Sequence, residues 1–243
     1  MITIQPSGRF GNNIQQFIHA IYIAEKKHIP FIKYTFPQFK KTTLRIRFNE
    51  LDDMNFSKMT DTFYNIHDIV SFEDKQRIAC SYLLPLLKYT SPTGYEQHYS
   101  TGLFVHIRSG DIFKSSNPHP NYAQPPLVYY ETIFALEPNR QIFVFYEDDL
   151  NPVVNALREK YSCAKFSSIS LGELISIFMN ARHIVNNVGT LIQGISYFNR
   201  NIQTFYATTE VVPNTTIISL PNYITEWKNT EEQRQFMLDY TIA

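Results

Sequence analysis

"ITIQPSGRFGNNIQQFIHAIYIAEKKHIPFIKY" (residues 2–34) decides the fold. "ITI" (2–4) reads as a short apolar strand. Ile14, Phe17, Ile18, Ile21 and Tyr22 then recur at i, i+3, i+4, i+7 and i+8, which marks one face of a helix. His19 lies off that stripe. Asn12 followed by Gln15 resembles a capping box, Lys26 and Lys27 suit a helix C-terminus, and Pro30 stops the run. "FIKY" (31–34) is the next strand. Strand, helix and strand with short connections make a βαβ unit, and such a unit implies a parallel sheet.

The same alternation returns further along. "LFVHI" (103–107), "QIFVFY" (141–146), "HIVNN" (183–187) and "IQTFYA" (202–207) read as strands. Helices are expected at 125–136, 151–161, 170–182 and 190–198, and a last amphipathic one at 229–240. Asn151 and Pro152 occupy N-cap and N1 positions, and Ser170 with Glu173 forms a capping box. Residues 72–89 read as helix broken near Pro85. "TSPTGYEQHYSTG" (90–102) is turn-rich and polar, a link between halves. The expected fold class is therefore α/β, with two Rossmann-like doubly wound halves, residues 1–100 and 101–243, facing across a cleft.

Composition narrows the function. Lys plus Arg and Asp plus Glu are balanced at 22 each in 243 residues, so no basic excess points to a nucleic-acid partner. The basic stretch "KKTTLRIRF" (40–48) alternates Leu44, Ile46 and Phe48 with Arg45 and Arg47, as a half-exposed strand does. Cys80 and Cys163 match no metal spacing and form no disulfide framework. No apolar run reaches a transmembrane length, and Met1 leads into a strand rather than a charged leader. A cytoplasmic protein without a transmembrane segment is expected, and the sequons at Asn55 and Asn214 are read as chance matches.

In an open parallel sheet, ligands bind beyond the carboxyl ends of the strands. Four loops lie there. "PSGRFGNN" lacks the Gly-Lys-[Ser/Thr] ending of a P-loop and is not GxGxxG, and no acid ends the following strand, which disfavours a nicotinamide cofactor. Gly8 and Gly11 leave a tight turn that opens a helix, either a plain βα connection or an anion site at the helix N-terminus. In "VHIRSGDIF", His106 and Arg108 share one strand face. Arg108 beside Gly110 can fork onto two phosphate oxygens, and Asp111 either orients it or caps a turn. His106 is either a core histidine or a group near the ligand. In "YEDDLNP", Glu147, Asp148 and Asp149 either accept from a base or ribose or complement the next helix's dipole. In "NNVGTLIQG", Gly189 and Thr190 open a helix as a second anion site.

Taken in order, these elements resemble the fucosyltransferase superfamily, whose members have the GT-B arrangement. "HIRSGD" resembles the His-x-Arg-x-Gly-Asp signature of α1,2-, α1,6- and protein O-fucosyltransferases. "GRFGNN" resembles their N-terminal Gly-x-x-Gly-Asn motif, "FVFYEDD" the "FSDD" element of the α1,2 group, and residues 179–198 that group's third motif. The sequence departs at Ser109, where many members carry a second arginine, and at Ile192 and Gln193, which replace an aromatic pair. The resemblance implies inverting transfer of fucose from GDP-fucose to a glycan acceptor hydroxyl, with GDP as product and no metal or other cofactor required. It implies that Arg108 neutralises the diphosphate as the glycosidic bond breaks. Asn12, near Gly11, would approach the diphosphate or sugar. His106, Gly110 and Asp111 would shape the nucleotide site, Asp148 or Glu147 would take the guanine end, and Thr190 with the Gly189 amide would hold the β-phosphate. The other readings are a nucleotide-sugar or glycan binding protein without turnover, and a related transferase using another nucleotide sugar. The residues leave Arg9 without a role and the catalytic base unidentified.

Overall fold

The computed structural model describes residues 1–46, 69–89 and 93–242. The opening unit forms as expected. Strand β1 (Ile2–Thr3) leads into helix α1 (Phe10–Lys26), which returns to β2 (Phe31–Lys33), parallel to β1. Strand β3 (Thr43–Arg45) then pairs antiparallel with β2. It carries the described part of the basic stretch, and residues 47 and 48 lie outside the described residues, as does Asn55. Among the described residues the first half is thus a small mixed sheet of order β1-β2-β3, which corrects the expectation of a doubly wound half. Phe31 and Lys33 are exposed on β2 while Ile32 is buried, so only one face of this sheet can carry a core.

Helix α1 is central rather than peripheral. Its apolar stripe is buried as expected, but Gln15, Gln16 and His19 are buried too, so His19 does not face solvent. One side of the helix meets an aromatic group in which Phe17 lies 4.3 Å from Tyr34 and 5.4 Å from both Phe36 and Phe39, centroid to centroid. The other side runs along helix α7 (Thr190–Ser196).

The segment between the halves begins with α2 (Phe72–Ile78), capped by Ser71. It widens into a π turn at 79–83 and then tightens into a 3₁₀ turn containing Pro85. The missing N–H of Pro85 accounts for the break. Arg77 clamps this segment to α1 through both oxygens of Glu25, at 2.9 and 2.7 Å.

The second half is a six-stranded, wholly parallel sheet. Its strands are β4 (Leu103–Ile107), β5 (Ile142–Tyr146), β6 (Lys165–Ser168), β7 (His183–Val185), β8 (Thr204–Ala207) and β9 (Thr216–Ile217). Their order is β6-β5-β4-β7-β8-β9, a doubly wound arrangement that reverses direction between β4 and β7. Strands β6 and β9 were not expected from the sequence. Helices α4 (Leu127–Leu136), α5 (Pro152–Lys160) and α8 (Glu231–Asp239) cover one face, over Leu103, Val105, Ile107 and Val144. Helices α6 (Leu171–Phe178) and α7 (Thr190–Ser196) cover the other, over Phe104, Phe143 and Phe145. A single turn of helix, α3 (Asp111–Lys114), follows β4. The Asn151 cap, Pro152 at N1 and the Ser170/Glu173 capping box all form.

The core joins the halves. One continuous apolar cluster runs from Ile4, α1 and Phe36 through Ile192 and Ile195 of α7 to Phe104 and Phe145 of the large sheet. The layers are therefore stacked, large sheet to α7 to α1 to small sheet.

Candidate functional site

The point where strand order reverses is the edge between β4 and β7, in register through Val105 and Val185. Their carboxyl ends release His106, Arg108, Asn186 and Asn187 side by side. All four are buried or nearly so, and among the described residues each keeps at least one polar atom without a partner within hydrogen-bond distance: both nitrogens of His106, Nε of Arg108, Oδ1 of Asn186 and Nδ2 of Asn187. Buried polar atoms are ordinarily paired, so such a concentration marks a place built for something other than packing. The His106 ring is 1 % exposed and sits edge-on to Phe178. Burial lowers its pKa to about 4 against a favourable contact with Asn187, and the Arg108 and Arg9 charges lower it further. It is a neutral imidazole at pH 7.

Arg108 is the centre of the group. Its side chain is 13 % exposed, and among the described residues its only carboxylate contact is a long one, 3.4 Å to Asp111. Arg9 arrives from the N-terminal loop, more than 100 positions away, and pairs with Asp111 at 3.1 Å and Glu147 at 2.8 Å. Two guanidinium groups thus share one carboxylate, on loops from the two halves. Arg9, without a role in the sequence reading, is the link between them.

The other expected residues are brought to this edge, several with uses the sequence did not indicate. Asn12 lies within α1 rather than capping it, and Arg9 takes the N-cap position without a side-chain cap bond. The Asn12 Oδ1 accepts the hydroxyl of Thr190, so each engages the other across the two halves. A Cβ at Gly11 would strike the Thr190 carbonyl, and the facing Gly194 would meet the Gly11 backbone at 3.3 Å. Gly11 is a packing glycine that lets α1 and α7 touch. Gly8, Gly110 and Gly189 all have positive φ, 71°, 61° and 131°. At Gly189 a Cβ would also stand 2.9 Å from Nη1 of Arg108.

The three contiguous acids point three ways. Glu147 takes Arg9. Asp149 takes Arg158 at 2.8 Å. Asp148 is turned into its own loop, where it accepts from the Ser109 hydroxyl, from the backbone of Gly110 and Leu150 at 3.2 Å each, and pairs with Lys114 at 3.0 Å. Burial would raise its pKa, but these donors together hold it down to about 2. Asp148 is an organiser of the β4 and β5 loops, and its engaged oxygens do not present a base-reading edge. Ser109, which departs from the double-arginine pattern, is the reason: its Oγ also accepts the Asn151 N–H, stitching β4 to the cap of α5.

No family model matches this chain, and no curated protein matches it. Among solved structures it is similar to E. coli ADP-heptose lps heptosyltransferase II, with 13% identity and a TM-score of 0.34, covering 64% of this chain and 52% of that one. It is also similar to E. coli heptosyltransferase WaaC with ADP-2-deoxy-2-fluoro heptose, with 12% identity and a TM-score of 0.46, covering 97% and 98% of the two chains. The same enzyme with ADP gives 13% identity, a TM-score of 0.46, and 97% and 96% coverage. Among the described residues no helix is long and apolar enough to cross a membrane.

Proposed function

We propose that this chain is a glycosyltransferase that moves a sugar, fucose from GDP-fucose, to a glycan hydroxyl with inversion. The observation that carries the reading is Arg108: a scarcely exposed guanidinium at the switch point of a doubly wound sheet, with Nε unpaired and one long carboxylate contact. An arginine so placed suits a diphosphate, whose oxygens it can engage in pairs. Arg9 adds a second positive charge from the facing loop. The motif order "GRFGNN", "HIRSGD", "FVFYEDD" supports the fucosyl donor.

In this reading the donor diphosphate takes the place that Asp111 occupies beside the two arginines. The acceptor hydroxyl attacks the anomeric carbon from the face opposite the diphosphate. The bond from that carbon to the phosphate oxygen breaks, its electron pair leaves with GDP, and the hydroxyl proton passes to a base or to water. Negative charge grows on the diphosphate, and preorganised arginines favour that state over the intact donor.

The test is a thermal-shift panel of GDP, ADP and UDP, followed by GDP release from GDP-fucose with glycan acceptors. At 100 times Kd a ligand stabilises by about 2.7 kcal/mol. GDP should raise the melting temperature most. Arg108→Ala should reduce transfer roughly 100- to 1,000-fold while remaining folded. Stabilisation by ADP or UDP in place of GDP would overturn the fucosyl donor. GDP binding without release from GDP-fucose would identify a binding protein instead.

A further inference from the structure

Arg108 is held in place in an unusual manner. Its guanidinium carbon lies 4.4 Å from the centroid of the Tyr122 ring. On the Gly189 side, the space a Cβ would need is taken by Nη1. The group therefore sits in a slot bounded by an aromatic ring and by a bare Cα. A guanidinium held against an aromatic ring is restrained without using its N–H donors. The hydrogen-bond inventory agrees: Nε has no partner and Nη2 reaches Asp111 only at 3.4 Å. Arg9 has the opposite arrangement, 62% exposed and held, among the described residues, by its carboxylates.

The wall itself is fixed. Tyr122 ends a 3₁₀ turn at 120–122 in the loop between α3 and α4. The Trp227 backbone N–H donates to the Pro120 carbonyl at 2.7 Å, the Gln124 side-chain amide donates to the Tyr122 carbonyl at 3.0 Å, and the Tyr223 hydroxyl donates to the Gln124 backbone carbonyl at 2.7 Å. Gln124 and Trp227 are buried. The His119 ring, 5.1 Å away, backs the tyrosine.

We infer that Tyr122 is a positioning residue: with Gly189 it forms a slot that presents the in-plane donors of Arg108 to the diphosphate of the donor. This rests on the proposed transferase reading for its consequence, but the slot itself can be tested without turnover. The Nε–H signal of Arg108, identified by its loss in Arg108→Lys, is followed by ¹⁵N relaxation in the wild type, Tyr122→Phe and Tyr122→Ala. Tyr122→Phe should keep the wild-type order and shift, while Tyr122→Ala should lose the ring-current shift and become mobile. In transfer assays Tyr122→Ala should lower kcat about 10-fold with KM for the donor within about 2-fold, and Tyr122→Phe should restore it. An Arg108 signal equally ordered in Tyr122→Ala overturns the slot. Wild-type kcat in Tyr122→Ala alongside an inactive Arg108→Ala also overturns it and leaves the transferase reading standing. An ordered-to-mobile change with full activity in Arg108→Ala keeps the slot and sinks the transferase role of Arg108.

Discussion

His106 places a titratable ring where protonation is opposed by its surroundings. Its pKa falls from 6.5 to about 4, so between those values the unfolded chain binds a proton that the folded chain does not. Stability should therefore fall as pH drops from 6.5 to 4, with this residue contributing up to about 3 kcal/mol of the loss. His183 is shifted in the same direction, by burial and by Arg140, so the sign is shared. Urea unfolding of wild type and His106→Gln from pH 7 to pH 4 checks this: the variant should show a shallower fall, and equal slopes would refute the assignment. At the same scale the sequence put His106 and Arg108 on one strand face, because a strand turns i and i+2 the same way, and of the two uses it offered for Asp111 the structure shows a contact with Arg108 at 3.4 Å. It could not tell that Asp148 turns inward, since that depends on Ser109 and Lys114 reaching it from another loop. Tyr122 carried no signal at all: its importance comes from a contact between loops.

Among the elements, the crossing of α1 and α7 is the most constrained. Gly11 and Gly194 oppose one another there, and backbone rather than a flexible side chain fills the space above Gly11. Gly11→Ala should cost about 1–3 kcal/mol, because the helices must move apart. A lowered urea midpoint at unchanged m-value is the expected result, and an unchanged midpoint would refute it. From the sequence Gly11 looked like a ligand glycine, since a Gly-x-x-Gly turn has the same local signature whichever neighbour it admits. Elements with local signals were legible for the converse reason. The Ser170/Glu173 box and the Asn151–Pro152 start close within a few residues of chain. Strand β6, "KFSS", has neither alternation nor β-branched residues, and its pairing with β5 alone makes it a strand.

The whole molecule is joined more closely than two halves across a cleft would be. Phe17, Phe36, Ile195 and Phe104 belong to one interior, and Arg77, Asn12 and Arg9 each bridge distant parts of the chain. Calorimetry should accordingly show one unfolding transition whose calorimetric and van't Hoff enthalpies agree, and two resolved transitions would contradict the shared core. That interior also bears on movement. Rotating one sheet away from the other would pull apolar side chains on α1 and α7 into water, so rigid-body opening is disfavoured. Traffic at the β4/β7 edge is left to the loops, and the exposed bridge between the halves is Arg9, whose swing away from Asp111 and Glu147 would act as the doorway.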